Sequence, residues 1–195
     1  MKLSSLLVTL SLFIGASASA DYIDFVGPYD VSNWTTTLTG DPGGGGTPAG
    51  VDTSGAPGSV ALTGGDYGCN TFTVTDCDVL FTIAVVNGFV QFHWDYASND
   101  LFGPSDDPFG YVIGTQLVQL TDDFGASTQS GDVAIPIPPG TTFGFYIDCL
   151  ECTLGEARAG ISAFRAPEPG SLALIGIGIA IAGGAGALRR RKTQS

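Results

Sequence analysis

Four cysteines and one histidine, with aspartates at Asp106-Asp107 and Asp122-Asp123, are the side chains of this sequence with the means to do chemistry. Cys149 and Cys152 stand in a C-x-x-C. A zinc centre needs four ligands, and no second C-x-x-C accompanies this one. A thioredoxin-like redox pair wants a helix N-terminus that lowers the first thiol's pKa, whereas the flanks "FGFYID" and "EARAGISAF" have the alternation of strands. Cys69, Cys77, Cys149 and Cys152 are an even set, so structural disulfides are expected if the chain is exported, with three full pairings open. Were "NTFTVTD" a straight strand, Cys69 and Cys77 would lie ~26 Å apart, far beyond the roughly 7 Å between Cα atoms that a disulfide tolerates. Either that stretch folds back or its bridges run to the last hairpin, while Cys149 and Cys152 could close on each other across a tight turn.

A Ser-His-Asp arrangement would have to use His93, which sits between Gln91 and Asp95 without a G-x-S-x-G elbow anywhere near it. His93 is therefore expected to be a solvent-facing strand residue. The aspartate pairs lack the D-x-D-x-D-G spacing of a calcium loop, and such side chains commonly accept hydrogen bonds from backbone N–H groups in turns. No catalytic residue, metal ligand or cofactor is assigned. Flat aromatic rings can stack on sugars; of the two tryptophans, Trp94 alternates with core residues and Trp34, in "YDVSNWTTTL", is expected to be the freer.

The elements that would position these groups are strands. "LFTIAVV" is an apolar run, Asn87-Gly88 is a favoured type I′ hairpin turn, and the return strand carries Val90, Phe92, Trp94 and Tyr96 on one face with Gln91, His93 and Asp95 on the other. Phe143, Phe145 and Ile147 share a face, as do Ala157, Ala159, Ile161 and Ala163. "YVIGTQLVQL" predicts a hairpin turning at Gly114-Thr115, and Pro136, Pro138 and Pro139 confine their stretch to a sheet edge. Residues 39–59, dominated by glycine and proline, are expected to form a flexible loop. With no amphipathic helix between the strands, residues 21–166 are expected to fold as one all-β unit, an antiparallel β-sandwich of jelly-roll type.

Charge narrows the partners. Residues 21–166 contain Arg158 and Arg165 as their only cations apart from His93, no lysine, and an overwhelming excess of aspartate. Neutralising phosphates takes lysine and arginine, so nucleic acid is excluded as a partner, and adhesion to an anionic bilayer is disfavoured.

The chain ends give an address. Residues 1–20, "MKLSSLLVTLSLFIGASASA", have the positive start, short apolar core and small-residue cleavage site of a secretory signal peptide. Near the other end, "PEPGSLALIGIGIAIAGGAGALRRRK" predicts a transmembrane helix over 171–188, stopped by the basic cluster 189–192. Its uncharged run is ~25 Å long as a helix, against roughly 30 Å of bilayer hydrocarbon, and snorkelling arginines supply the remainder. Its glycines lack the G-x-G-x-x-G spacing of a dinucleotide site.

Pro167-Glu168-Pro169, the apolar helix and Arg189, Arg190 and Arg191 together resemble the PEP-CTERM sorting signal, over about residues 166–192. The resemblance implies an exported protein of a Gram-negative bacterium that makes extracellular polysaccharide. It implies as partners the inner membrane and an exosortase-type enzyme, an integral-membrane cysteine transpeptidase that acts near Pro167-Glu168-Pro169. Ala166 stands where that signal often has valine. The string "DPFGY…QLTDD…TQSG…FGFY" is also similar to an ectodomain that often precedes such signals and has no assigned activity. The expectation is a non-enzymatic surface or matrix protein, anchored with its domain outside the cytoplasm and then passed to the cell surface or extracellular matrix. The alternative is a carbohydrate- or calcium-dependent binding or adhesion module, with extracellular polysaccharide as its partner.

Overall fold

The structure, a computed structural model, describes residues 21–39, 47–65, 79–149 and 155–167. The signal peptide, Cys69, Cys77 and Cys152, Glu168 and Pro169, and the 171–188 helix with its arginines lie outside them. Among the described residues no helix is long and apolar enough to cross a membrane.

Strands β1 (Asp21–Ile23), β2 (Thr35–Leu38), β3 (Gly50–Asp52), β4 (Ser59–Thr63), β5 (Val79–Ser98), β6 (Phe109–Ile113), β7 (Gln116–Gln119), β8 (Thr128–Ile147) and β9 (Ala157–Pro167) follow in chain order. All their pairings are antiparallel, in the order β3-β4-β9-β5-β8-β6-β7, with β1 added to β9 and β2 to β5. The described residues form an all-β, sandwich-like fold, as expected.

One hydrogen-bonded ribbon becomes two layers because its longest strands fold over. Phe145 pairs with Phe81 across β8 and β5, and a straight β5 would carry Phe92 ~35 Å away from Phe81. Yet the rings of Phe92 and Phe145 are 4.9 Å apart. The first layer holds β2, Val79–Ile83 of β5, Phe143–Ile147 of β8, β6 and β7. The second holds β3, β4, β9, Gln91–Ser98 of β5 and Thr128–Ile137 of β8.

The corner lies where a hairpin was expected. Asn87-Gly88 does not reverse the chain into a hairpin; β5 continues through it, bent, with register shifts between Ile83 and Val86 and between Val86 and Gly88. Opposite Asn87, β8 carries Pro138, Pro139 and Gly140, the last at φ 75°. Prolines cannot donate to a ladder and bulges bend strands, so this stretch turns the ribbon over. The local turn preference loses to pairing with β8 along the whole of β5. As expected, the proline-rich part of β8 is an edge, since β6 pairs only with Phe109↔Ile147 through Ile113↔Phe143.

The core between the layers is aromatic. Val90, Phe92, Trp94 and Tyr96 are buried on one face of β5, and Phe143, Phe145 and Ile147 on one face of β8, as the alternation predicted. Each such side chain contributes about 1.5–3 kcal/mol by leaving water. Trp34 corrects the expectation that it is free. It is 7% exposed, stacks on Phe81 at 4.7 Å, and donates from Nε1 to the Tyr29 carbonyl at 3.0 Å. The expected flexible loop 39–59 is corrected too, because β3 and the start of β4 fall inside it. Val51 and Leu62 pair with their side chains toward the core, and Asp52 accepts from the Ser54 N–H at 2.9 Å to shape the turn between the strands. Its part from residue 50 to 59 is held by Val51 and by the pairing of β3 with β4.

Candidate functional site

The outer face of the second layer carries the expected polar comb. With Val90, Phe92 and Trp94 inward, Phe89, Gln91, His93 and Asp95 point outward, and Phe89 is 50% exposed. Neighbouring strands extend the comb in register. Phe89 lies opposite Pro136, Gln91 opposite Ala134 and His93 opposite Asp132 on β8. On the other side Gln91 faces Arg165, His93 faces Ser162 and Asp95 faces Gly160 of β9.

Arg165 reaches this face through a bulge that the sequence pattern missed. Ala157, Ala159 and Ile161 are buried, but Ala163 has φ 49°, is exposed, and breaks the alternation. Between Gln91↔Arg165 and His93↔Ser162, β9 spends one more residue than β5. The phase therefore flips, sending Phe164 and Ala166 into the core and Arg165 out.

His93 is held between carboxylates contributed by two strands. Its Nδ1 lies 2.8 Å from Asp132 Oδ1 and its Nε2 lies 3.5 Å from Asp95 Oδ1. The hydrogen bond to Asp132 raises the imidazole pKa above its ordinary value; burial opposes it, and the charges of Asp95 and Asp132 add to it. Ser162, His93 and Asp132 form a Ser-His-Asp row by residue type. The orientation does not suit acyl transfer, because Nδ1 faces Asp132 and Nε2 faces Asp95, so neither ring nitrogen is turned to take a proton from Ser162. What this arrangement does well is fix donors and acceptors in place. Around it Gln91, His93, Asp132, Ala134, Ala163 and Arg165 line a shallow depression of about 320 Å³.

A second depression, about 380 Å³, lies toward β3 and is lined by Gly50, Asp52, Thr63, Glu156 and Arg158 among others. Arg158 is exposed on the same outer face as Arg165. Neither arginine makes an ion pair within 4 Å among the described residues, in a domain rich in aspartate.

The acidic residues themselves are engaged in turns. Asp30, Asp52 and Asp122 accept from the backbone N–H two residues on, at 2.9, 2.9 and 3.1 Å, and Asp100 does the same with Phe102. The hydrogen bond from Ser32 holds the Asp30 carboxyl below its usual range, and that from Ser54 does so for Asp52. Asp107 is buried and accepts from Ser98 Oγ at 3.3 Å. Between the Asp106-Asp107 and Asp122-Asp123 loops, Leu120 N–H donates to the Phe109 carbonyl at 2.8 Å. Among the described residues no three acidic, histidine or cysteine side chains converge as a metal ion would require.

Of the four cysteines, Cys149 is described. It is buried and disulfide-bonded, with its sulfur 3.4 Å from the Gly65 carbonyl oxygen, and its disulfide partner lies outside the described residues.

No protein-family profile matches this chain, and no curated protein matches it. Among solved structures it is similar to the enzymatically active domain of bacteriophage CBA120 tailspike protein 4, with 15% identity and a TM-score of 0.36 over 73% of this chain and 22% of that one. It is similar to the K1 cleaved adhesin domain of Lys-gingipain from Porphyromonas gingivalis W83, with 13% identity and a TM-score of 0.39 over 74% and 98% of the two chains. It is also similar to TmCBM27, a carbohydrate-binding module with specific mannan recognition, with 11% identity and a TM-score of 0.37 over 77% and 99%.

Proposed function

We propose that this protein is an exported surface protein whose sandwich binds a neutral, hydroxyl-rich polysaccharide on the outer face of its second layer. The observation that carries the reading is the pair of exposed arginines, with no ion pair within 4 Å among the described residues, on the one face where Gln91, His93, Asp95 and Asp132 stand in register. Sugar hydroxyls both donate and accept, and this face offers fixed carboxylate acceptors beside guanidinium and amide donors. Exposed Phe89 adds a ring face against which sugar C–H groups can pack. The aspartate excess around the site favours an uncharged ligand over a polyanion.

Calorimetry of the full chain against neutral and uronate-bearing polysaccharides tests this. Binding of a neutral polymer is expected, weakened about tenfold, or ~1.4 kcal/mol, by Phe89→Ala or Arg165→Ala with unchanged thermal stability. No heat with any neutral polymer, or binding that the two substitutions leave alone, would refute the reading.

Delivery rests on the ends of the chain. In this proposal residues 1–20 direct export, and residues 167–192 hold the protein in the inner membrane until an exosortase-type enzyme processes it at Pro167-Glu168-Pro169. It carries no catalytic role of its own. Glu168→Gln, or replacement of Arg189, Arg190 and Arg191 by alanine, is expected to leave full-length protein in the membrane fraction. Normal processing of both variants on an immunoblot would count against sorting by this segment.

A further inference from the structure

The two depressions sit on one continuous face, and what lies between them is open. From Arg158 to Arg165 the outward residues of β9 are Gly160, Ser162 and Ala163; Ala61 and Ser59 of β4 flank the first two on one side, and Asp95 and His93 of β5 on the other. A Cβ added at Gly160 would meet nothing within 4 Å. Allowing for the bulge at Ala163, the two arginines stand ~20 Å apart along the strand, farther than a disaccharide can bridge. Each end offers the same pairing of chemistry, a guanidinium beside carboxylates: Arg165 with Asp132 in one depression, Arg158 with Asp52 and Glu156 in the other.

We infer that the two depressions are the end subsites of a single groove that binds the interior of a linear neutral polysaccharide along β9, rather than a chain end or a single sugar. The inference rests on the carbohydrate reading above and goes beyond it in naming the ligand's form. The small residues between the ends are what a ribbon of sugar rings needs in order to lie flat, because any larger outward side chain would lift it off the arginines. Two weak subsites on one polymer act together, so occupancy of the first raises the effective concentration at the second.

The test titrates full-length protein with linear β-1,4-linked hexose oligosaccharides, from the monosaccharide to the hexasaccharide, and with the corresponding polymer. Affinity is expected to rise by about tenfold or more between the disaccharide and the longer oligomers and then level off. Arg158→Ala is expected to return the hexasaccharide to disaccharide affinity. Gly160→Leu is expected to do the same by blocking the middle. Equal affinity for disaccharide and hexasaccharide, or full hexasaccharide affinity in Arg158→Ala and Gly160→Leu, would overturn the single groove while leaving a local site at Arg165. Absence of binding to every oligosaccharide and to the polymer would overturn both readings.

Discussion

The two outer faces of the sandwich are built on the same alternation and end in opposite states. On the first layer Val112 and Tyr146 point away from the core, yet they are 4% and 7% exposed. The Tyr146 ring lies against Gly110, where an added Cβ would come 2.7 Å from it, and burial pushes the Tyr146 phenol up to about 12. At Gly144 an added Cβ would come 2.6 Å from Thr82 Cγ2. On the second layer the corresponding glycine, Gly160, faces open space, and Asp95 is exposed beside it. A glycine in a strand thus has opposite meanings here. On the outer face of the first layer it makes room for a neighbour within the protein, and at Gly160 on the outer face of the second it leaves room for something else.

The sharpest way to break this contrast is to add the same methyl group to both faces. Gly144→Ala is expected to cost about 1–3 kcal/mol, since the strand beside it has no empty space to accept the group. Gly160→Ala is expected to fall within about 0.5 kcal/mol of wild type, because its surroundings are empty and alanine suits a strand better than glycine. Urea denaturation of the two variants measures both. Equal losses would mean that the second face is as closed as the first, and the argument for a binding groove would go with it.

Much of this arrangement was legible in the sequence, and what was not had a physical cause. The strict alternation of Val90, Phe92, Trp94 and Tyr96 was enough to place Gln91, His93 and Asp95 on a polar face, because period two survives folding wherever pairing is regular. It failed where pairing is irregular. Asn87-Gly88 has the chemistry of a turn, but pairing of β5 with β8 on both sides of it keeps the chain going, and no local signal carries that. The Ala163 bulge shifts Arg165 outward by a single extra residue, which alternation cannot anticipate. Trp34 follows a short 3₁₀ turn capped by Asp30, so its burial depends on Phe81 and Phe145, which come from far along the chain. Asp132 likewise reaches His93 only through the ladder between β5 and β8.

That last juxtaposition offers the smallest and most local test of the polar face. His93 is the only histidine in the chain, so its ring protons give an unambiguous NMR titration. The imidazolium gains Asp132 and Asp95 on folding, which raises its pKa above the unfolded value of about 6.5. The sign follows from linkage: the native state binds the proton more tightly, so the stabilisation is fully present below the unfolded pKa and is lost as pH rises through the folded one. Its size is modest, because the imidazole side chain is 35% exposed and water screens the pair. Asp132→Asn is expected to lower the His93 pKa more than Asp95→Asn, since Asp132 makes the direct hydrogen bond and Asp95 acts through its charge at 3.5 Å. The reverse order, or a wild-type pKa at or below the free-imidazole value, would mean that the carboxylates do not grip the ring. The face would then lose the fixed donors and acceptors that set it apart from its closed counterpart.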